Sequence, residues 1–340
     1  MKLNIAQIGG GYWGKNLIRN LAELDQLDII CDSDGDTLAK YSKKYPHIQT
    51  AANYEEILND DEIDAVVIAT PASTHYEIVK QALMAGKDVL VEKPFTTNLK
   101  DARELVDIAT EKDLILMVGM VFLYNAAVKK IKELIQSGEL GNIHYLFFQR
   151  RNLGKVRSDV NSWWNLAPHD VSIASYWLEG KPENITARGF DFIQPGIEDV
   201  VMATIEFNQK NSAFIHTSWL DPSKVRKAIG VGSKKMVIYD DMSQDMKVRV
   251  YDKGIDKNTP DMPPQDFESF GEFQLKQRAG DIHVPKIDFK EPLKEECKHF
   301  IECVKERKEP ISSGRKNLDM VKILETGQKS IKDQGKTLKL

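Results

Sequence analysis

Cysteine is scarce in this chain. Cys31, Cys297 and Cys303 are the only three in 340 residues. Their spacing makes neither a disulfide framework nor a metal-ligand set, so no metal is expected. No apolar run approaches the roughly 20 residues that span a bilayer, which argues against a membrane helix. An excess of either charge is also missing: 47 Lys and Arg stand against 51 Asp and Glu, and the net charge is -4. With a pI near 6.0 there is no basic footprint for nucleic acid. Internal repeats and low-complexity tracts are absent. Met1-Lys2-Leu3-Asn4 leads straight into an apolar run, leaving no room for a signal peptide, so a cytoplasmic location is expected. What remains is an ordinary globular composition, 41% hydrophobic and 29% charged, in a chain long enough for two domains.

Short runs rich in Val, Ile and Leu recur at Leu3–Ile8, Leu27–Cys31, Ala65–Ala69, Asp88–Val91 and Leu114–Val118. Such runs suit parallel strands covered on both faces. Amphipathic segments lie between them, at Lys15–Glu23, at Tyr76–Ala85 behind Ser73-Thr74 as candidate caps, and at Leu99–Lys112 behind Asn98. The alternation predicts an α/β fold with a doubly wound parallel sheet over residues 1–121. From residue 122 to 340 the pattern changes. A helix is expected at Ala126–Ser137, then strands at Ile143–Arg150, Ile185–Phe192, Val200–Phe207, Ala213–Trp219, Val225–Val231 and Lys247–Tyr251. The apolar alternation of Val201, Ala203, Ile205 and Phe207 buries one sheet face. Asp252–Pro264 reads as a loop, and two helices, Pro292–Glu306 and Lys316–Lys332, close the chain. The second domain is thus expected to be α+β with a large open, mostly antiparallel sheet.

Gly9-Gly10-Gly11-Tyr12-Trp13-Gly14 follows the first strand and precedes a helix, the context in which GxGxxG binds a dinucleotide. Gly9 permits the tight turn, Gly11 lets the backbone approach a pyrophosphate, and Gly14 allows close packing. The helix N-terminus adds N–H groups and partial positive charge. Asp32 ends the next strand 18 residues after Gly14, near the expected gap of about 20. A carboxylate there accepts hydrogen bonds from a ribose diol and repels a 2′-phosphate, which favours NAD over NADP. Asp34 is the alternative ribose ligand, or a solvated turn residue. Thr70-Pro71 ends another strand and should face the same crevice. His75, four residues on, either touches the nicotinamide half of the cofactor or is a helix-start residue without such contact.

Glu92-Lys93-Pro94 sits directly after the apolar Val89-Leu90-Val91. Burying a charge without a partner is costly, so a Glu-Lys pair at a buried strand end points to chemistry. A lysine beside a nicotinamide can hydrogen-bond a hydroxyl and stabilise alkoxide character as hydride leaves. Desolvation would lower its pKa and let it take the proton. Glu92 then holds the lysine or contacts the cofactor; the alternative is a structural ion pair. A second constellation, Trp163-Trp164-Asn165-Leu166-Ala167-Pro168-His169-Asp170, precedes apolar residues at helical spacing. It places His169 near a helix start, facing a ligand, with Asn165 one turn earlier. On spacing alone a structural histidine fits equally.

The glycine motif, the stretch Ala85–Pro94, the His169 segment and the Glu291-Pro292-Leu293 helix start resemble the glucose–fructose oxidoreductase/inositol dehydrogenase/rhizopine-catabolism family over nearly the whole chain. The resemblance implies a Rossmann domain, an NAD(P)-dependent oxidoreductase acting on sugars or polyols, and a homodimer or homotetramer formed through the second sheet. It also implies that Lys93 and His169 serve in substrate binding and proton transfer, and that the glycine turn with Tyr12 and Trp13, Asp32, Thr70, Pro71, His75 and Glu92 holds the cofactor.

Phe122-Leu123-Tyr124-Asn125, Arg151–Asn161 and Leu166–Asp170 are more narrowly similar to nucleotide-sugar 3-dehydrogenases. Those enzymes oxidise C3 of UDP-linked N-acetylhexosamines or their uronic acids, ahead of amination, in surface polysaccharide synthesis. Arg151 and Arg157 would then grip a carboxylate or phosphate in two-pronged fashion, with Tyr124 and Asn125 in the same pocket. Asn165 replaces the aspartate usual in that subgroup, which removes a charge that would raise the pKa of His169. A polyol dehydrogenase or ketosugar reductase, and a catalytically silent NAD or sugar sensor, remain as other readings.

Overall fold

The structure is a computed structural model that describes residues 2–154, 156–208, 210–256 and 276–340. It contains two compact units, one of Met1–Asn125 with Phe289–Thr326, the other of Ala126–Asp288 with Gly327–Leu340. The first unit opens with β1 (Ile5–Ile8), α1 (Gly14–Glu23), β2 (Ile29–Cys31), α2 (Gly35–Lys44), β3 (Gln49–Ala51) and α3 (Tyr54–Leu58). It continues through β4 (Ala65–Ile68), α4 (His75–Met84), β5 (Asp88–Glu92), α5 (Leu99–Glu111) and β6 (Leu116–Gly119). The six strands form a parallel sheet in the order β3-β2-β1-β4-β5-β6. Every residue of β1, β4, β5 and β6 is buried, as strands covered on both faces must be. The strand order reverses between β1 and β4, and such a switch opens a crevice beyond the strands' carboxyl ends.

The apolar runs gave five of these strands. β3, Gln49-Thr50-Ala51, is an edge strand with no buried residue, so it leaves no hydrophobic signal. Asn98 caps α5 as expected, accepting from the Asp101 N–H at 2.9 Å. Ser73 and Thr74 do not cap α4. Residues Ala72–Thr74 form a 3-10 turn, and the Thr74 hydroxyl donates to Pro71 O at 2.8 Å and lies 2.8 Å from the Thr70 hydroxyl.

The second unit holds α6 (Ala126–Gln136), β7 (Ile143–Arg151), α7 (Ser162–Leu178), β8 (Pro182–Phe190), β9 (Val200–Phe207) and β10 (Asn211–Ser218). β11 (Val225–Gly232), β12 (Met236–Asp240), β13 (Val248–Asp256) and β14 (Lys276–His283) follow. With β15 (Leu338–Lys339) they make a nine-stranded sheet in the order β14-β13-β12-β11-β7-β10-β9-β8-β15. All its pairs are antiparallel except β7 with β10. The sheet packs α7 on β7, β9 and β10, and α6 on β12. Leu146, Phe148, Ala203, Ile205, Ala213 and Ile215 are buried there, and Phe148 stacks on Trp177 at 5.9 Å. Of the expected loop Asp252–Pro264, residues 252–256 belong to β13, and 257–264 lie outside the described residues.

α8 (Pro292–Glu306) and α9 (Gly314–Lys332) end the helical list. The expectation of one uninterrupted domain from residue 122 onward differs from the packing. Phe289–Thr326 belongs to the first unit, where α8 packs on α1 and on the turn Val121–Tyr124.

Candidate active site

The glycine turn is built by residues on both sides of it. Gly9 has φ +96°, and a Cβ there would stand 2.7 Å from Ala69 O. A Cβ on Gly14 would stand 2.1 Å from Gly9 O, so the helix start can approach the strand end only without a side chain. Gln7, wholly buried in β1, donates from Nε2 to Gly9 O (3.0 Å) and Gly14 O (2.9 Å). The Tyr41 hydroxyl donates to Gly10 O at 2.7 Å. Gly11 differs: nothing in the protein lies within 4 Å of where its Cβ would be. No packing demand explains that glycine, whereas close approach of a pyrophosphate does. α1 begins without a side-chain cap and without an acid in its first turn, which leaves its positive end to an anion. A dinucleotide fits this cradle.

Asp32 follows β2 and accepts from the Gly10 N–H at 2.7 Å and the Asp34 N–H at 2.9 Å. Asp34 is the cap of α2, accepting from the Thr37 N–H and hydroxyl. Thr37 hydrogen bonding holds its carboxyl below the ordinary range, so Asp34 has a local role already.

Glu92 is the last residue of β5. Trp13 Nε1 and the Lys93 N–H donate to its carboxylate, which ties the glycine turn to the Glu-Lys-Pro segment. The carboxylate lies over Gly119 at the end of β6, where a Cβ would come within 3.1 Å of it. Burial pushes the Glu92 carboxyl up to about 7, against the opposing pull of the Lys93 charge and the Trp13 bond. Beneath it, α8 carries the wholly buried Glu296, whose two oxygens meet no hydrogen-bond partner. Burial, then the charge of Glu92, drives the Glu296 carboxyl well above the ordinary range. Lys93 itself is half-buried.

In the second unit α7 starts at Ser162, capped by Asn161, which accepts from the Trp164 N–H at 3.0 Å. Asn165 and His169 are half-buried and one turn apart on this helix. Pro168 lies inside it and has no N–H to give the Trp164 carbonyl. Arg150, on β7, makes a buried two-pronged pair with Asp170, from Nε at 3.1 Å and Nη2 at 2.7 Å. That pair fixes the helix against the sheet beside His169.

Residues 3–120 match the family described as oxidoreductase family, NAD-binding Rossmann fold, and residues 128–238 match the GFO/IDH/MocA C-terminal domain. The chain belongs to the GFO/IDH/MocA family. It is an oxidoreductase with an NAD-binding domain. Among relatives, the oxidoreductase YrbE of Bacillus subtilis is 23% identical over 337 residues, 95% of this chain and 93% of YrbE. Several other relatives match over less than two thirds of their own length. One is the myo-inositol 2-dehydrogenase of Thermotoga maritima, 27% identical over 62% of this chain and 66% of that protein. The solved structure of the UDP-N-acetylglucosamine 3-dehydrogenase GnnA from Acidithiobacillus ferrooxidans superposes with a TM-score of 0.82. It has 18% identity and covers 98% of this chain and 99% of that one, a likeness of fold.

Against this family fold, several expected site residues fall elsewhere. His75 is 1% exposed with both ring nitrogens on backbone carbonyls, so its ring does not face a ligand. Tyr124 is not a pocket residue either. It is 3% exposed in the first unit's core, its hydroxyl 3.4 Å from Ser312 Oγ and its ring beside His299. His169 is not near the helix start but seven residues beyond Ser162. Arg151 pairs with Asp221, and strand alternation puts it on the face opposite Arg150 and α7. Arg157 is exposed and bridges to Asp159 at 2.8 Å from Nε. Thr70 and Asn125 are half-buried, Pro71 and Trp13 are exposed, and Tyr12 is 88% exposed with the Lys15 ammonium 5.1 Å over its ring. Gln7, Gly119, Arg150 and Glu296 were missed. Their signal was a polar or glycine residue within an apolar pattern. Among the described residues no group of His, Cys, Asp and Glu is arranged for a metal, and no helix is long and apolar enough to cross a membrane.

Proposed function

We infer that the chain oxidises the C3 hydroxyl of a nucleotide-linked amino sugar or its uronic acid, in the cytoplasm, for surface polysaccharide synthesis. The observation that carries the reading is the Trp13–Glu92 bond, which joins the dinucleotide turn to a half-buried lysine at the end of β5. Bound NAD supplies the hydride acceptor. The backbone of Gly9, Gly11 and Gly14 and the start of α1 hold its phosphates, with Tyr12 and Trp13 beside them. Asp32 accepts from the ribose diol, and Thr70-Pro71 lines the crevice. Lys93, acting as the neutral amine, accepts a hydrogen bond from the substrate hydroxyl and takes its proton to become the ammonium as hydride leaves for NAD. His169 and Asn165, one turn apart on α7, hydrogen-bond the sugar. Asn125 contributes to the sugar site. Arg157 keeps free donors beyond its bond to Asp159 for an acidic or phosphate group.

The test mixes stoichiometric enzyme and NAD with UDP-N-acetylglucosamine or its uronic acid and follows nicotinamide absorbance through one turnover. One NADH per site with the nucleotide sugar, and none with free sugar, is expected. Lys93→Met should slow hydride transfer by about 100-fold or more with NAD affinity unchanged. Normal turnover in that variant overturns the role of Lys93.

The sequence likeness to the Thermotoga maritima enzyme favours a second reading, polyol oxidation, or ketosugar reduction on the same fold. It predicts activity on a free polyol or sugar. Asn165 alone favours a silent sensor, which would bind NAD and turn nothing over.

A further inference from the structure

β4 and β5 run parallel up to the pair Ile68↔Val91. Beyond that rung the chain continues into Thr70-Pro71 on one side and Lys93-Pro94 on the other. The His75 ring lies between these two segments. Its Nδ1 is 2.8 Å from Pro94 O and its Nε2 is 3.0 Å from Thr70 O. At 1% exposure no solvent competes for either contact. Carbonyl oxygens only accept, so each bond needs an N–H from the ring. A neutral imidazole supplies one and an imidazolium supplies two. Burial holds the pKa below its ordinary value, against the pull of the two carbonyls and with the Lys93 charge adding to it, so at neutral pH the ring is neutral and donates to one carbonyl at a time, the tautomer deciding which.

We propose that His75 is a positioning residue, a clasp that spans the loops after β4 and β5 and fixes Lys93 relative to Thr70-Pro71. The clasp continues the sheet one step past its last backbone rung. The Pro94 carbonyl is one residue beyond Lys93, so anchoring it restrains the lysine's backbone. The Thr70 carbonyl immediately precedes Pro71, so anchoring it restrains the segment assigned to the NAD crevice. The inference rests on the roles given above to Lys93 and to Thr70-Pro71.

Two variants separate the halves of the clasp. An asparagine amide reaches the position of Nδ1, so His75→Asn keeps the bond to Pro94 O. A glutamine amide reaches the position of Nε2, so His75→Gln keeps the bond to Thr70 O. NAD affinity is measured by calorimetry, and the reactivity of Lys93 by competitive labelling with acetic anhydride and peptide mass spectrometry. His75→Asn should leave Lys93 labelling within about 2-fold of the parent and weaken NAD binding about 5-fold. His75→Gln should keep NAD affinity and raise Lys93 labelling about 5-fold. These are the sizes expected for losing one hydrogen bond.

Variants that move both readouts together, or neither, overturn the clasp, and one folded variant is enough to decide. A failed split with an inactive Lys93→Met overturns the clasp alone. A Lys93→Met that turns over normally overturns the catalytic reading, while the split remains a separate result.

Discussion

Glu92 and Glu296 keep two carboxyl groups inside the first unit on unequal terms. Glu92 accepts from Trp13 and from the Lys93 N–H, whereas both oxygens of Glu296 lack a hydrogen-bond partner. Each is pushed above its ordinary value by burial, Glu92 to about 7, and Glu296 is raised further by the charge of Glu92 beside it. The sign of the linkage follows from that direction. The folded chain holds protons that the unfolded chain releases, so the stabilisation is complete below the ordinary carboxylate range. It is lost as pH rises towards and through 7. The urea midpoint of the parent should therefore fall between pH 5 and pH 8. Glu296→Gln removes one of the two groups, and its amide adds a cost that does not depend on pH. The pH dependence should flatten over that window, whatever happens to the midpoint itself. A slope equal to the parent's would mean that Glu296 does not titrate in the folded state.

α7 shows how a helix can be legible as a helix and misread in its phase. The apolar residues at helical spacing after Asp170 pointed to a start near His169. The cap that actually starts the helix, Asn161 ahead of Ser162-Trp163-Trp164, is also written in the chain, seven residues earlier. β7 carries a similar lesson. Leu146, Phe148 and Arg150 alternate inward, and that period of two would have picked Arg150 rather than Arg151 as the arginine facing α7. Central strands were readable because burial on both faces demands unbroken apolar runs. β3 and α2 were not, because β3 has no buried residue and α2 buries only Tyr41. The Arg150–Asp170 pair lets this element be tested by itself. Breaking one side of a buried ion pair strands the other charge, at a cost of about 3–5 kcal/mol. Asp170→Asn should lose roughly 3 kcal/mol in a denaturant titration and lower the protection of α7 amides from hydrogen exchange. A change within a few tenths of a kcal/mol would show that the pair contributes little.

At the scale of the molecule, chain order showed the change from a parallel to a mostly antiparallel sheet, but not the return of Phe289–Thr326 to the first unit. Such a return depends on long-range packing that no local pattern encodes. The alternation of the nine-stranded sheet does bear on assembly. One face packs α6 and α7. The other carries Tyr145, Phe147, Met202, Phe214, Ile229 and Ile238, none of them buried. Tyr145 and Phe214 are 39% exposed and in edge contact at 5.8 Å, and Met202 is 53% exposed. A contiguous apolar face of this kind is unusual on a monomer, where patches beyond a few hundred Å² mark interaction sites. A self-complementary face of about 800 Å² per subunit suffices for a stable dimer. Light scattering should therefore give at least twice the 38.6 kDa of one chain. Phe214→Glu puts a charge at the centre of the face, which would have to be buried unpaired on association. Its expected mass is that of the monomer, with NAD affinity retained, because the cradle for the dinucleotide lies wholly in the first unit. A parent protein that is a monodisperse monomer would remove this face from the assembly. Its apolar residues would then need another cover.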